Sequence, residues 1–238
     1  MLDLRNSSRA SSKALLRVRA WLTIVAGALV LLALLIAALG PLYMKWGATA
    51  SELERRYPGD QLAPNVLSVA TRAITIQAPP AQVWPWIAQV GEDPAGFYSY
   101  TWLENLFLAD MHNCDLINPQ WQTRQEGDTV WLTRQDRYQG TARTVIAMYE
   151  PGHAMVLVSP PDHENLAKHR PPISGTWTFI INPEGKNATR LIMRSRGRST
   201  GLLKRAFDYW VFDPAHFIME RGMMLGIKER AEPTSSGH

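Results

Sequence analysis

A chain of 238 residues, 46% hydrophobic and 19% charged, has enough apolar content to bury a core, which excludes intrinsic disorder and leaves a globular or membrane protein. Its 25 Lys and Arg against 21 Asp and Glu give a formal net charge of +4, but Arg5, Arg9, Lys13, Arg17 and Arg19 gather that excess at the N-terminus. The remainder is close to neutral and implies no nucleic-acid-binding face.

Residues 1–19 form this basic N-terminus, and residues 20–44, "AWLTIVAGALVLLALLIAALGPLYM", follow without a charged side chain. At about 1.5 Å per residue the stretch is long enough to cross a hydrocarbon core of about 30 Å. It is longer than the apolar core of a cleaved secretory signal and lacks a clear small-x-small site at its end, so it predicts an uncleaved single-pass anchor. Five basic residues before it, against Lys45 just after it, place the N-terminus in the cytoplasm and the remainder of the chain across the cell membrane. The single cysteine, Cys114, forms no intrachain disulfide and leaves the redox compartment open.

Residues 45–67, with "YPGDQLAPN", show little periodicity and read as a linker. A folded domain is expected over 68–232, with a disordered tail at 233–238. "SVATRAITIQ" alternates like a strand and stops at Pro79-Pro80, and "PPAQVWPWIAQVG" reads as a short helix interrupted by Pro85. "GFYSYTWLENL" begins another helix: Thr101 and Glu104 have capping-box spacing, and Trp102 and Leu106 share a helix face. "TVWLTRQ", "ARTVIAMYE", "AMVLVSP", "SGTWTFIIN" and "TRLIMRSRGR" read as strands of an antiparallel meander. In "TGLLKRAFDYWVF", Leu202, Leu203, Phe207 and Trp210 share a broad face opposite the charges, which suits either a membrane interface or packing on the domain. The last helix is expected to start at Asp213 as cap with Pro214 in first position, and to bury the stripe Ala215, Ile218, Met219, Gly222, Leu225 and Gly226. The predicted fold class is α+β, an antiparallel sheet covered by that helix.

This element order, with "ATRAITIQAPPAQVWPWIAQVG", "GFYSYTWLENL", "NPQWQTRQEGDTVWL" and "MERGMMLGIKERAE", resembles the SRPBCC superfamily of START-like, polyketide-cyclase-like helix-grip proteins, in particular a membrane-anchored bacterial branch without an assigned activity. The resemblance covers about Val69 to Glu232. It implies a curved antiparallel sheet gripping a C-terminal helix, with a cavity between them for a lipid, sterol, polyketide or other apolar molecule. It implies no common catalytic set, because fold does not fix function.

Candidate cavity residues are Tyr98, Tyr100, Glu104, His112, Trp131, Met219, Gly222 and Leu225. Tyr98 and Tyr100 lie in a Gly-flanked loop where a ring contacts an apolar body and a hydroxyl bonds its polar group, or both simply pack. Glu104 is a capping-box acid or a cavity acceptor. Gly222 and Gly226 each cost about 1 kcal/mol in a helix interior, so they either permit close helix–sheet approach or leave room for a ligand. Met219, Met223 and Met224 suit a pocket of imprecise shape. Asp110, His112, Cys114 and Asp115 have no second cluster at zinc spacing, while His163 and His169 sit in a Pro-rich loop, so no metal and no cofactor is expected. Arg72, Asp115, Asp128 and Arg194 are candidates for structural salt bridges. The expected activity is membrane-anchored binding or transfer of a hydrophobic small molecule or lipid. The alternatives are a cyclase- or dehydratase-like enzyme using Glu104 or His112 as acid or base, and an envelope scaffold without ligand.

Overall fold

The computed structural model of the chain describes residues 3–91, 96–100, 113–133, 137–170 and 173–233. Two compact units emerge, Met1–Pro41 and Leu42–His238. The first is the body of helix α1 (Asp3–Tyr43). Its stretch Leu16–Tyr43 is long and apolar enough to cross a membrane.

In the second unit the described residues form one sheet from β1 (Ser68–Ile76), β2 (Thr129–Trp131), β3 (Arg143–Glu150), β4 (Ala154–Val158), β5 (Gly175–Pro183) and β6 (Thr189–Gly197). Their order is β1-β6-β5-β4-β3-β2, antiparallel throughout. Helices α2 (Ala50–Glu54), α3 (Pro80–Ala88) and α4 (Pro160–Ala167) precede a terminal helical run. This is the α+β helix-grip arrangement expected from the sequence. Strand alternation sets the faces: register pairs Arg72 with Met193 and Met193 with Phe179, so Arg72, Met193, Phe179 and Trp177 lie on one face. That face holds the main core, in which Ile76, Phe179, Leu191 and Met193 meet Met223, Met224 and Ile227 of the terminal helix.

Residues 45–67 are not the expected linker. The Met44 carbonyl accepts from the Thr71 amide at 2.9 Å and the Trp46 carbonyl from the Ala73 amide at 3.0 Å, so the chain leaving α1 is bonded along the edge of β1. Gly47 then turns at φ 70, and any Cβ there would collide with the Ala73 carbonyl. A capping box between Thr49 and Glu52 starts α2, and Glu52 holds Arg190 at 2.8 Å. Tyr57 buries itself against Ala73, Ile180 and Ile192, and Ala63 against Val158 and Ile173. The reason is that the sheet is apolar on both faces: the helix covers one, and this strap covers the other. The folded unit therefore starts at Leu42 rather than Ser68, and Tyr43, 7% exposed, is already part of its core.

The C-terminal run also differs from expectation. Helix α5 (Leu202–Phe207) and a π turn (Asp208–Phe212) lead without a break into α6 (Asp213–Ala231). Asp213 is itself helical, with φ −61 and ψ −44, so it caps nothing. Pro214 lacks the amide of a normal turn and its ring crowds the carbonyl four residues back, and the wider π turn just before it accommodates both defects. The buried residues of α6 are Glu220, Gly222, Met223, Met224, Gly226, Ile227 and Ala231, so Gly222 and Gly226 of the predicted stripe are buried, while Ala215 and Ile218 are exposed, Ile218 by 45%. Likewise His163 stands in α4, which Ser159 caps, not in a loop.

Candidate ligand-binding site

Arg72, at the centre of β1, points into the core in phase with Ile74 and Ile76. It meets Glu220 of α6 in an ion pair between Nη1 and Oε2, both side chains 1% exposed. Burying either ion alone would cost several kcal/mol, so every strong partner matters. Arg72 Nε donates to the Tyr43 carbonyl at 2.8 Å, and the guanidinium lies over the Phe217 ring at 5.4 Å. The other Glu220 oxygen accepts from Trp177 Nε1 at 2.7 Å. The carboxylate is thus engaged on both oxygens.

One turn before Glu220, His216 places Nδ1 3.5 Å from Arg72 Nη1. A guanidinium only donates, so Nδ1 is the acceptor and the ring proton resides on Nε2. Burial pushes the imidazole pKa below its ordinary value of 6.5; Glu220 opposes this shift and Arg72 adds to it. The ring is therefore neutral at pH 7. It is stacked on Phe212 at 5.4 Å and meets Trp177 edge-on at 5.6 Å. Trp177 in turn contacts Phe97 at 6.0 Å and Phe179 at 4.8 Å. His216 and Trp177 both keep accessible surface although protein surrounds them. Among the described residues, His216 Nε2–H has no hydrogen-bond acceptor. Ser195, the register partner of Trp177 on β6, has a buried hydroxyl without a partner. The buried Ser195 hydroxyl is the kind of unsatisfied group that costs about 1–3 kcal/mol, whereas the His216 ring keeps accessible surface through which Nε2–H can be reached. The arrangement is an aromatic wall carrying one neutral N–H donor and one free hydroxyl.

The sequence-predicted residues meet elsewhere. Tyr98, Tyr100, Met219 and Gly222 come together at a seam between the loop 96–100 and α6. Tyr98 holds φ 56, its amide donates to Asn113 Oδ1 at 2.7 Å, and its ring lies edge-on to Trp86 at 5.6 Å beneath Arg230 at 5.1 Å. Burial pushes its phenol pKa up, and the hydroxyl makes no hydrogen bond of normal geometry. Tyr100 accepts from Arg221 Nη1 at 3.4 Å, and Ser99 Oγ donates to the Met219 carbonyl at 2.9 Å. A Cβ on Gly222 would come within 2.7 Å of Ser99 Oγ and 2.8 Å of the Tyr100 ring, and one on Gly226 would strike the Tyr98 carbonyl. Of the two readings of these glycines, close approach holds, and the approaching partner is the loop rather than the sheet. They leave no room for a ligand. Leu225 is half-buried on the same helix. Trp131 follows the core residue Val130 on β2, so it faces the opposite side of the sheet, where Arg143 lies over its ring at 5.5 Å. Glu104 and His112 lie outside the described residues.

Of the salt-bridge candidates, Arg194 bonds Asp60 at 3.0 Å and Asp115 bonds Arg230 at 2.5 Å, while Asp128 accepts from the Gln125 amide at 3.0 Å. Glu220, His216, Trp177 and Ser195 were not singled out from sequence. A signal existed for two of them: Arg72 occupies an inward position of an alternating strand, and a His–x–x–x–Glu pair on the covering helix is what such an arginine requires.

No family model matches the chain, and no curated protein matches its sequence. Among solved structures, it is similar to protein MLL2253 from Mesorhizobium loti, with 13% identity and a TM-score of 0.35, covering 68% of this chain and 96% of that one. The Polyketide_cyc-like protein Cgl2372 from Corynebacterium glutamicum is similar at 15% identity and TM-score 0.31, over 71% and 88% of the two chains. CalU16 from Micromonospora echinospora is similar at 17% identity and TM-score 0.30, over 68% and 83%.

Proposed function

We propose that the Leu42–His238 unit binds an apolar small molecule bearing a carbonyl or hydroxyl oxygen, and that α1 anchors it to a membrane. His216 carries this reading: its Nδ1 is fixed by Arg72, its ring is stacked among aromatics, and its Nε2–H is presented without an acceptor among the described residues. A neutral donor suits a neutral oxygen, and Phe212, Trp177 and Phe97 suit an apolar body. A cyclase- or dehydratase-like reaction ranks second, because His216 could polarise a carbonyl but both Glu220 oxygens are already engaged.

The test uses the full chain in nanodiscs, titrated with a fluorescent fatty alcohol and a fluorescent sterol. Saturable binding of one probe is expected, weakened about fivefold by His216→Phe, which keeps the stacking but removes the donor, worth about 1 kcal/mol. Equal binding by wild type and His216→Phe would remove the site assignment.

A further inference from the structure

Leu202–Phe212 stands out as a helical segment with no buried residue in α5 or in the π turn. Leu202 and Leu203 are 81% and 87% exposed, and Phe207 and Val211 are more than half exposed. On the helix, Leu202, Leu203, Ala206, Phe207 and Trp210 occupy one side. The polar side is tied down locally: Asp208 bonds Ser199, and Lys204 Nζ reaches Asp208 at 3.1 Å. A contiguous apolar patch of this kind marks a surface meant to be covered.

Three observations identify what covers it. The chain enters the domain from α1 at Tyr43, whose ring stacks on Phe217 at 5.7 Å and whose phenol is within electrostatic range of Tyr209. Phe217 lies five residues beyond Phe212, about 7.5 Å along a helix. The apolar side therefore begins close to the point where the chain leaves the span. Its aromatic residues, Tyr209 and Trp210, are of the amphipathic kind that settle at the boundary of a bilayer. Lys204 and Arg205 flank them, as an anionic lipid surface favours.

We propose that Leu202–Phe212 lies in the interfacial layer of the membrane that α1 crosses, with Leu203, Phe207 and Trp210 among the acyl chains and Lys204 at headgroup level. This rests on the reading of α1 as an anchor and not on the ligand reading. Phe212, which closes the segment, is also the residue stacked on His216, so the docked segment ends at the wall of the ligand site.

The experiment uses the full chain carrying Cys114→Ser, one copy per nanodisc of phosphatidylcholine and phosphatidylglycerol. Nitroxide labels go singly on Leu203→Cys, Trp210→Cys, Leu32→Cys within the apolar stretch, and Lys186→Cys on the exposed β5–β6 turn. Relaxation by oxygen, which concentrates in lipid, is compared with relaxation by a water-soluble nickel chelate. Leu203 and Trp210 are expected to share the oxygen preference of Leu32, with Lys186 showing the reverse. If both behave like Lys186 while Leu32 stays in lipid, docking is wrong and the anchor stands. If Leu32 is open to nickel, the anchor fails and docking fails with it. Labels at Leu203 and Trp210 shielded from both agents would mean that protein covers the segment, which also overturns the proposal.

Discussion

Glu220→Leu strips Arg72 of its counter-ion in the interior, and breaking a buried pair from one side costs about 3–5 kcal/mol, whereas the double change Arg72→Met with Glu220→Leu removes both charges and should recover most of that loss. Chemical denaturation of the single and double variants decides it; a double variant no more stable than the single would mean that the bonds to Tyr43 and Trp177 matter more than the charges. His216 supplies a pH signature. Its folded pKa is depressed below 6.5, so the unfolded chain binds the extra proton and stability rises with pH across the interval between the two values. Stability is therefore full above about pH 6.5 and declines as pH falls below it, when protonation would set a second cation beside Arg72. The melting temperature measured down to pH 5 should show this decline in the wild type and lose part of it in His216→Phe. An unchanged slope would remove His216 as its source.

At the scale of elements, the glycines of α6 separate two kinds of tolerance. Gly226→Ala drives a methyl into the backbone carbonyl of Tyr98, which is already held at φ 56, and should destabilise by about 1–3 kcal/mol or more. Gly222→Ala meets side-chain atoms of Ser99 and Tyr100 rather than backbone, and side chains yield more readily, so it should cost less. Thermal melts of both variants test the ranking, and a reversed order would show that the seam yields at the backbone. The strands and the final helix were legible because β-branched alternation and helical apolar spacing are local signals. The buried face of α6 was not, because Glu220 reads as a surface charge until a partner 148 residues away neutralises it. The Asp213–Pro214 pair has the composition of a helix start, yet the π turn carries the helix straight through it. Nor was the aromatic wall legible, since Trp177, Ser195 and His216 come from three elements and meet only in the fold.

For the whole molecule, the strap decides where the domain can be cut. A fragment of residues 42–233 keeps Tyr57 and Ala63 over the second sheet face and should fold; one of residues 68–233 bares Ile180, Ile192 and Val158 and should aggregate. Circular dichroism and gel filtration of the two fragments check this, and a well-folded 68–233 fragment would demote the strap to an accessory. The low periodicity of residues 45–67 hid this role, because irregular chain covering an apolar face carries no repeating pattern. The bonding of Met44 and Trp46 to β1 has a mechanical side. Just past Leu42 the chain is held by two backbone hydrogen bonds to β1, and beside them by Arg72, which grips the Tyr43 carbonyl with one nitrogen and Glu220 with another. The joint and the proposed binding site share a side chain. A displacement of the chain at Tyr43 is therefore felt on α6 twice over, at Phe217 through the stacked rings and at Glu220 and His216 through the Arg72 guanidinium.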